Sequence, residues 1–292
     1  MRIVQKYLFT TTVAVVALIF RLSAVAWADP TVTKIGTDLY AYISDNDGSA
    51  NATFLVGQKG ILVVDTGLDA KEGIKLLGAI ERVSILPVLF VVNTHYHPDH
   101  QGGNATVGPS ATVISTDYTR DQTLAVKRSA PALASLRPAD TTFSHSLTVH
   151  LDPYTVEIWC PGRAHTSGDA LAYFPQQQAM AMGDLFLNRS SPAMDLGSVS
   201  NWINSLEEVL KKPLVVAVPG HFELGTKADL ERFRDYLRDL YSQVEKLKKS
   251  GANLEQTKAQ LRMEKYKDFR QYPQYQATFA DNAEVIYKEL QP

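Results

Sequence analysis

Cysteine is almost absent from this 292-residue chain, which has a single one, Cys160. One cysteine cannot form an intramolecular disulfide, so a secreted fold held together by a cysteine framework is excluded. The chain also has no large excess of charge of either sign, because 29 basic and 31 acidic residues give a formal net charge of −2. There is no electrostatic basis for binding nucleic acid. With 45% hydrophobic and 21% charged residues, the composition indicates a globular protein and excludes disorder, collagen and a multi-span membrane protein.

The N-terminal apolar run is too short to cross a bilayer. Residues 7–20 form an uninterrupted apolar stretch of 14 residues, whereas a transmembrane helix needs about 20. Basic Arg2 and Lys6 precede this run, and the small residues Ala26 and Ala28 follow it, which is the three-part pattern of a secretory signal peptide. We therefore predict cleavage after Ala28, export to the periplasm or the medium, and no stable membrane anchor afterwards. Loss of this segment removes three basic residues and no acidic one, which leaves a net charge of −5.

The chain up to about residue 225 combines strand and helix patterns. Short β patterns dominate residues 32–65, and apolar residues at helical spacing predict an amphipathic helix between Leu68 and Val83. A continuous apolar run at 88–93 predicts a buried strand. The further predicted elements are strands at 112–115, 146–151, 155–160, 171–174, 179–182 and 214–218, a helix near 117–127, and a helix that follows Asp195 and reaches Leu210. This is a mixed α/β pattern.

From Thr226 the pattern becomes helical. Apolar residues recur every three or four positions from Leu230 to Leu247, in a charge-rich segment that stops at Gly251. Two shorter helices are predicted at about 253–263 and 277–289. We predict three parts: a signal peptide at 1–28, an α/β domain at 29–225, and a helical extension at 226–292 packed on the same domain.

Histidine and aspartate cluster directly after the buried strand. The run Asn93-Thr94-His95-Tyr96-His97-Pro98-Asp99-His100 contains the pattern HxHxDH. An extended backbone points residues i and i+2 to one side, so His95 and His97 converge. Pro98 disfavours helix before it and can open a helical turn after it, which takes Asp99 and His100 to a neighbouring position. One short segment thus offers four metal ligands in two groups.

Three more residues of metal-binding type follow β patterns at glycine-rich turns. They are His165 in GRAHTSGD, Asp184 in MGDL and His221 in VPGH. Loops at the ends of strands are where a scaffold places functional side chains.

With these motifs in order, the chain closely resembles the metallo-β-lactamase superfamily, over residues 32–225 for the core. The resemblance implies an αββα sandwich with a helical C-terminal extension, and a metal site at one edge of its two sheets. It implies that Asp65, in VVDTG, orients a ligand histidine from outside the metal shell. It also implies two metal sites: His95, His97 and His165 hold the first ion, Asp99, His100 and His221 hold the second, and Asp184 bridges both.

This ligand set predicts a hydrolase. Imidazole suits zinc, and two metals about 3.5–4 Å apart can share a hydroxide that attacks the scissile carbonyl. Asp99 can orient that nucleophile or relay a proton while it binds metal, which makes it the predicted catalytic residue. We expect two divalent ions, most simply Zn²⁺, although the carboxylates also accommodate iron or manganese. The expected substrate is a small ester, thioester or lactam-like amide.

Departures from known branches leave alternatives open. Class B β-lactamases commonly have cysteine at the second metal or lack the bridging aspartate, so the presence of Asp184 makes β-lactam hydrolysis an alternative. The GRAHTSGD segment and the helical C-terminus look most like exported zinc hydrolases that include the quinoprotein relay system metallohydrolases. Two further alternatives are a mononuclear iron oxygenase, as in the persulfide dioxygenases, and a metal-stabilised binding protein without turnover.

The remaining polar residues give weaker patterns. Cys160 is predicted to be a buried strand residue, since free cysteine behaves as a small hydrophobe. His145 and His150 lie outside the ligand pattern and are predicted to be structural or surface residues. Loop residues beside the motifs are candidates for contact with a small-molecule substrate, but no motif assigns substrate binding or the oligomeric state. These candidates are Arg163, Asn51, Asn188 and Arg189.

Overall fold

The computed structural model describes residues 30–194, 197–273 and 276–290. The predicted signal peptide, residues 1–28, lies outside these described residues. Within them, no helix has both the length and the apolar character needed to cross a membrane.

The first sheet is built from strands in chain order. Its antiparallel part, β1 to β4, continues into a parallel part, β4 to β7. The strands are β1 (Thr31–Gly36), β2 (Leu39–Ile43), β3 (Ala52–Val56), β4 (Ile61–Val64), β5 (Val88–Val92), β6 (Thr112–Thr116) and β7 (Thr141–Phe143).

The second sheet has the order β12-β11-β10-β9-β8 and is antiparallel, except that β11 and β12 run parallel. Its strands are β8 (Ser146–Leu151), β9 (Tyr154–Trp159), β10 (Leu171–Phe174), β11 (Ala179–Ala181) and β12 (Val216–Val218). The predicted strand at 155–160 therefore ends one residue early, and Cys160 lies just beyond it.

The helices lie between and after the strands, and several of them cover the outer faces of the two sheets. They are α1 (Ala70–Glu81), α2 (Pro98–Gln101), α3 (Asn104–Val107), α4 (Asp117–Ser129), α5 (Val199–Leu210), α6 (Lys227–Lys249), α7 (Leu254–Gln260) and α8 (Phe279–Glu289). Single turns of 3₁₀ helix lie at Pro131–Leu133, Gly183–Leu185 and Glu264–Tyr266.

Alternation along the central strands produces four layers. In β4, Leu62 and Val64 belong to the apolar cluster between the two sheets, whereas Ile61 and Val63 pack with the buried face of α1. In β10, Phe174 joins the cluster between the sheets, and the outward residues pack under α5 and α6. The order helix, sheet, sheet, helix confirms the predicted αββα sandwich.

The C-terminal helices share one apolar cluster with the second sheet. Leu230, Phe233 and Leu237 of α6 are fully buried there against Trp202 of α5 and Met180 of β11. Thr226 and Asp229 form a capping box at the start of α6. This confirms a helical C-terminal region on the sandwich, while the division of the chain at residues 225 and 226 stays a prediction.

Helix α7 is shorter than predicted, because it ends at Gln260 instead of 263. A side chain of α6 takes over the backbone groups that follow. Gln243 accepts from Arg262 N at 2.9 Å and donates to Arg262 O at 2.9 Å, so these groups need no helical partner.

Candidate metal centre

The predicted site residues lie where strands of both sheets end. Asp65 follows β4, and residues 93–100 follow β5. Asp184 and His221 come after β11 and β12. Because β4 and β5 run parallel, as do β11 and β12, the carboxyl ends of each pair lie side by side. The fold brings all seven predicted metal ligands together here, in two groups.

The segment after β5 is divided at Pro98. Its backbone stays extended at His97, with φ −62° and ψ 139°, and α2 begins at Pro98, whose fixed φ suits the first position of a helix. His95 and His97 therefore point the same way, with His95 Nε2 3.0 Å from His97 Nδ1. Asp99 and His100 lie on α2 and belong to the other group.

The first group consists of His95, His97, His165 and Asp184, whose donor atoms all lie within 4.8 Å of one another. His165 Nε2 is 3.3 Å from His97 Nδ1 and 3.6 Å from Asp184 Oδ2. Three imidazole nitrogens and one carboxylate oxygen thus surround a single position.

The second group consists of Asp99, His100 and His221. Asp99 Oδ2 is 3.1 Å from His221 Nε2 and 3.5 Å from His100 Nε2. The other oxygen of Asp184, Oδ1, lies 3.3 Å from His100 Nε2 and 3.6 Å from His221 Nε2. The two oxygens of Asp184 therefore face one group each, which is the arrangement a bridging ligand requires.

Neighbouring donor atoms in each group lie 3.0–3.6 Å apart, a spacing that a shared metal ion allows. Metal–ligand distances of about 2.0–2.2 Å in a tetrahedral zinc site separate its ligands by about 3.3–3.6 Å, close to the spacings in both groups. Moreover, His100 Nε2 and Asp184 Oδ1 are buried without a hydrogen-bond partner, and such an atom costs about 1–3 kcal/mol. The residues fit two divalent cations.

Asp65 orients histidines of both groups. His100 Nδ1 donates to Asp65 Oδ2 at 2.8 Å, which directs His100 Nε2 toward the second group. Thr94 donates to Asp65 through its backbone N at 2.8 Å and its hydroxyl at 2.7 Å. Because the Thr94 hydroxyl gives its proton to Asp65, Thr94 Oγ1 accepts from His95 Nδ1 at 3.1 Å. The neutral His95 ring therefore has no proton on Nε2. Sequence reasoning anticipated Asp65 but missed Thr94.

His165 is oriented by a backbone carbonyl and an aromatic ring. Its Nδ1 donates to Ala193 O at 3.2 Å, which leaves Nε2 for the first group. The indole of Trp202 on α5 packs edge-to-face against the imidazole, with ring centroids 5.7 Å apart. The same indole donates to Leu185 O at 3.0 Å and so holds the turn that carries Asp184.

Protonation preferences differ between the groups. Burial lowers the pKa of His95 well below its usual range and that of His165 to about 4. Both imidazoles are therefore neutral near pH 7, as metal ligands must be. Burial also acts to lower the pKa of His100, but Asp184 and the other carboxylates around it raise that pKa well above its usual range. The second group thus favours positive charge.

Glycines allow the close approach of the two turns that carry Asp184 and His221. Gly183 has φ +50°, and a Cβ there would lie 2.5 Å from Thr94 Oγ1. A Cβ on Gly220 would lie 1.9 Å from Asp184 Oδ1. A side chain at either position would collide with Thr94 or with Asp184, so both turns need glycine.

Two of the loop residues considered for substrate contact hydrogen-bond to the loop that carries His221. Asn51 is buried, and its side-chain amide donates to Pro219 O at 3.1 Å and Phe222 O at 2.8 Å. Asn188 donates to Leu224 O at 2.9 Å. The other two candidates, Arg163 and Arg189, are exposed.

Asp169 is a buried carboxylate that sequence reasoning did not assign. It accepts from Thr166 N at 2.8 Å and from Thr166 Oγ1 at 2.6 Å, which closes the loop that carries His165. Burial raises its pKa to about 7. The Thr-x-x-Asp spacing directly after His165, which resembles a capping box, is the sequence pattern that could have indicated this contact.

The remaining candidates lie apart from the two groups. Cys160 is half-buried against the core between the sheets, and burial raises the pKa of its thiol. His145 and His150 are exposed on and beside β8. None of the three belongs to either ligand group.

Comparisons with known proteins agree with this architecture. A sequence profile described as the Metallo-beta-lactamase superfamily matches residues 45–221. The chain is similar to Metallo-beta-lactamase type 2 of Bacillus cereus, with 27% identity over 211 residues, 68% of this chain and 76% of that protein. It is also similar to 2,4-dinitroanisole O-demethylase subunit alpha of Nocardioides sp. (strain JS1661), with 27% identity over 188 residues, 63% of this chain and 56% of that one.

Two solved structures share the fold. A metallo-beta-lactamase from Pontibacter korlensis has a TM-score of 0.62 at 22% identity, covering 72% of this chain and 99% of the other. The sec-alkylsulfatase Pisa1 from Pseudomonas sp. has a TM-score of 0.73 at 15% identity, and the match covers 89% of this chain but only 50% of that one. At these identities the likeness shows the fold alone.

Proposed function

This chain belongs to the metallo-β-lactamase superfamily, whose members are mostly metal-dependent hydrolases, and from that premise we propose that it is a binuclear zinc hydrolase. Its substrates would be small esters, thioesters or lactam-like amides. The observation that carries the proposal is the bridging position of Asp184, with one carboxylate oxygen at 3.6 Å from a histidine of the first group and the other at 3.3 Å from a histidine of the second.

Six further residues would complete the two sites. His95, His97 and His165 would hold one ion, and Asp99, His100 and His221 the other. When bound, the ions would acidify a water molecule toward neutral pH and polarise the scissile carbonyl. Five imidazoles among seven ligands favour zinc, while the two carboxylates also accommodate iron or manganese.

Asp99 is the group that would move protons. Its side chain is 25% exposed, against 12% for Asp184, so it has the better access to substrate and solvent. Burial opposes ionisation, but His100 and His221 hold its pKa below the usual range. Asp99 is then a carboxylate at neutral pH, able to accept a proton from the attacking water and deliver it to the leaving group.

The ligand set and the similar proteins indicate which classes of substrate should be tested first. The Bacillus protein is named a β-lactamase, which supports lactams as one class to test. The bridging aspartate and the lack of a cysteine ligand are features of the general hydrolases, which supports esters and thioesters. We also propose export of the protein after loss of residues 1–28, on the pattern of its N-terminal segment.

The first experiment is elemental analysis of protein purified without added metal, followed by assays of the same sample with nitrocefin, S-lactoylglutathione and simple aryl esters. We expect two zinc ions per chain and turnover of at least one substrate. A single iron per chain without hydrolysis would overturn the proposal and indicate an oxygenase, which oxygen consumption with a persulfide would then test. Export is tested by the N-terminal mass of the secreted protein, and an intact Met1 would contradict it.

A further inference from the structure

A buried polar triad joins the C-terminal helices to the segment before α5. Ser191 Oγ lies 3.0 Å from Tyr236 OH on α6, and Asn282 Nδ2 on α8 donates to these two oxygens at 2.8 and 3.0 Å. Each of the three residues is at most 1% exposed. Buried polar groups are costly unless they are hydrogen-bonded. The triad therefore favours one position of Ser191 relative to the two helices.

The segment held by this triad also orients a predicted metal ligand. Ala193, two residues after Ser191, is the residue whose carbonyl accepts from His165 Nδ1. Pro192 lies between them, and its ring fixes φ, so the link between Ser191 and Ala193 is stiff. A displacement of Ser191 therefore displaces the carbonyl that sets the orientation of the His165 ring.

The backbone of Ser191 is anchored to the same C-terminal region. Ser191 N donates to Arg270 O at 2.9 Å, and Arg270 N donates to Arg189 O at 2.9 Å. Side-chain and backbone contacts thus both tie this segment to the C-terminal region. The C-terminal region contacts this segment closely, although none of its residues is a predicted metal ligand.

We propose that Tyr236 and Asn282 are positioning residues for the first metal group. They fix Ser191, Ser191 places the Ala193 carbonyl, and this carbonyl aims His165 Nε2 at the group. The inference rests on the proposed metal centre. It assigns to the C-terminal helices a part in orienting His165, one of the proposed ligands.

The triad acts on one group more than on the other. His100 of the second group is oriented by Asp65, which reaches it from the end of β4 and makes no contact with the triad. Loss of a group that orients a metal ligand typically lowers metal affinity about 10- to 100-fold. Because Tyr236 acts through two intermediates, we expect the lower end of this range.

The test compares Tyr236→Phe with Tyr266→Phe in the full-length protein. Tyr266 is a matched control, since it is equally buried, packs against the Tyr236 ring and donates its hydroxyl to Asp239 at 2.6 Å, away from Ser191. Zn²⁺ is titrated in competition with a chelator, and the absorption bands of the Co²⁺-substituted protein report the geometry of the first site. We expect Tyr236→Phe to weaken the binding of one ion about 10-fold and to shift its cobalt bands, whereas Tyr266→Phe leaves both unchanged.

Equal zinc affinities and cobalt spectra in both variants would overturn the inference, even if both variants lost thermal stability, because that result describes structural packing alone. If Tyr236→Phe does not fold, Ser191→Ala removes a member of the triad with little change in volume and must give the same selective loss. A wild-type protein that binds no zinc would instead overturn the proposed function. The two failures are thus distinguishable.

Discussion

Single residues in this centre serve two ligands at once. Asp65 accepts directly from His100 and, through the hydroxyl of Thr94, fixes the tautomer of His95 in the other group. Asp65 itself has φ +58°, a left-handed conformation that aspartate tolerates better than most residues. A change at such a residue affects both groups together.

Asp99→Asn tests the proposed proton transfer. Asparagine keeps an oxygen for the metal but cannot take up a proton, so we expect kcat to fall about 100-fold or more while two zinc ions are retained. Steady-state kinetics and metal analysis on one preparation measure both. Asp140→Asn, at an exposed ion pair with Arg137, is the control. Undiminished turnover in Asp99→Asn would remove this residue from catalysis.

Gly220→Ala tests the close contact beside the bridging carboxylate. The new Cβ would lie 1.9 Å from Asp184 Oδ1 and 2.8 Å from the carbonyl carbon of Gly183, so we expect weaker metal binding and a loss of about 1–3 kcal/mol in the free energy of unfolding. Gly78→Ala is the matched control, since nothing lies within 4 Å of its Cβ position in α1. That change should stabilise the protein by about 0.5–1 kcal/mol. Chemical denaturation measures the free energy of unfolding of both variants, and zinc titration measures their metal affinity. Similar stabilities of the two variants would argue against the contact.

At the scale of elements, local sequence predicted where helices begin more reliably than what they touch. The helical pattern from Thr226 onward predicted the start of α6, and its apolar spacing predicted the buried face. The partner of Ser191 on α8 lies 91 residues away, and no local period indicates such a contact. The carbonyl of Ala193 carries no side-chain pattern at all, so its role could be found only in three dimensions.

Glu289 ties the last helix to the start of α5. Its carboxylate accepts from Ser198 Oγ and Val199 N at 2.9 Å and from Ser200 Oγ at 2.6 Å. Burial acts to raise its pKa, but these donors hold the pKa below its usual 4.5. Because the folded state prefers the ionised form, this contribution to stability is full above pH 4.5 and is lost as the pH falls below it.

Glu289→Gln should therefore destabilise the protein in a pH-dependent way. We expect a loss of about 1 kcal/mol in the free energy of unfolding at pH 7, reduced from the usual range because the carboxylate is partly exposed. The difference from wild type should shrink as the pH falls below 4.5. Urea denaturation of the metal-free protein across this range gives the comparison, with Glu245→Gln, at a surface pair with Lys249, as the control. A difference that stays constant with pH would show that the charge of Glu289 is not involved.

For the whole molecule, the motif order in the sequence predicted the fold, and the structure confirmed four layers. His95, His97, Asp99 and His100 could be proposed from the HxHxDH pattern after a buried strand, and the other three ligands because each follows a strand at a glycine-rich turn. Their assignment as metal ligands came from the family resemblance. The orienting contacts could not be proposed, since Thr94 and Asp169 act through hydroxyl and carboxylate pairs that occur in many loops. The role of Asn51 was also not evident, because its side-chain NH2 donates to the carbonyl of Pro219, 168 residues further along the chain.

Removal of metal should loosen the centre without unfolding the molecule. None of the seven ligand residues belongs to the core between the sheets or to the cluster under α5 and α6, so we expect the chelated protein to keep its far-ultraviolet circular dichroism. Its melting temperature should fall and recover when zinc returns, since a ligand at 100 times its Kd stabilises by about 2.7 kcal/mol. Calorimetry with and without chelator measures this. An unchanged melting temperature would speak against ion binding in the folded state.

The two ligand groups differ in their donor atoms, and this difference affects which metals each of them would bind. The first group offers three imidazoles and one carboxylate oxygen, whereas Asp99 and Asp184 give the second group two carboxylate oxygens beside two imidazoles. Harder ions such as manganese and iron prefer oxygen donors, so we expect the second position to discriminate less strongly against them. In a zinc-poor environment we then expect a different metal at each position. The metal content of the purified protein would reflect the metals that were available where it folded.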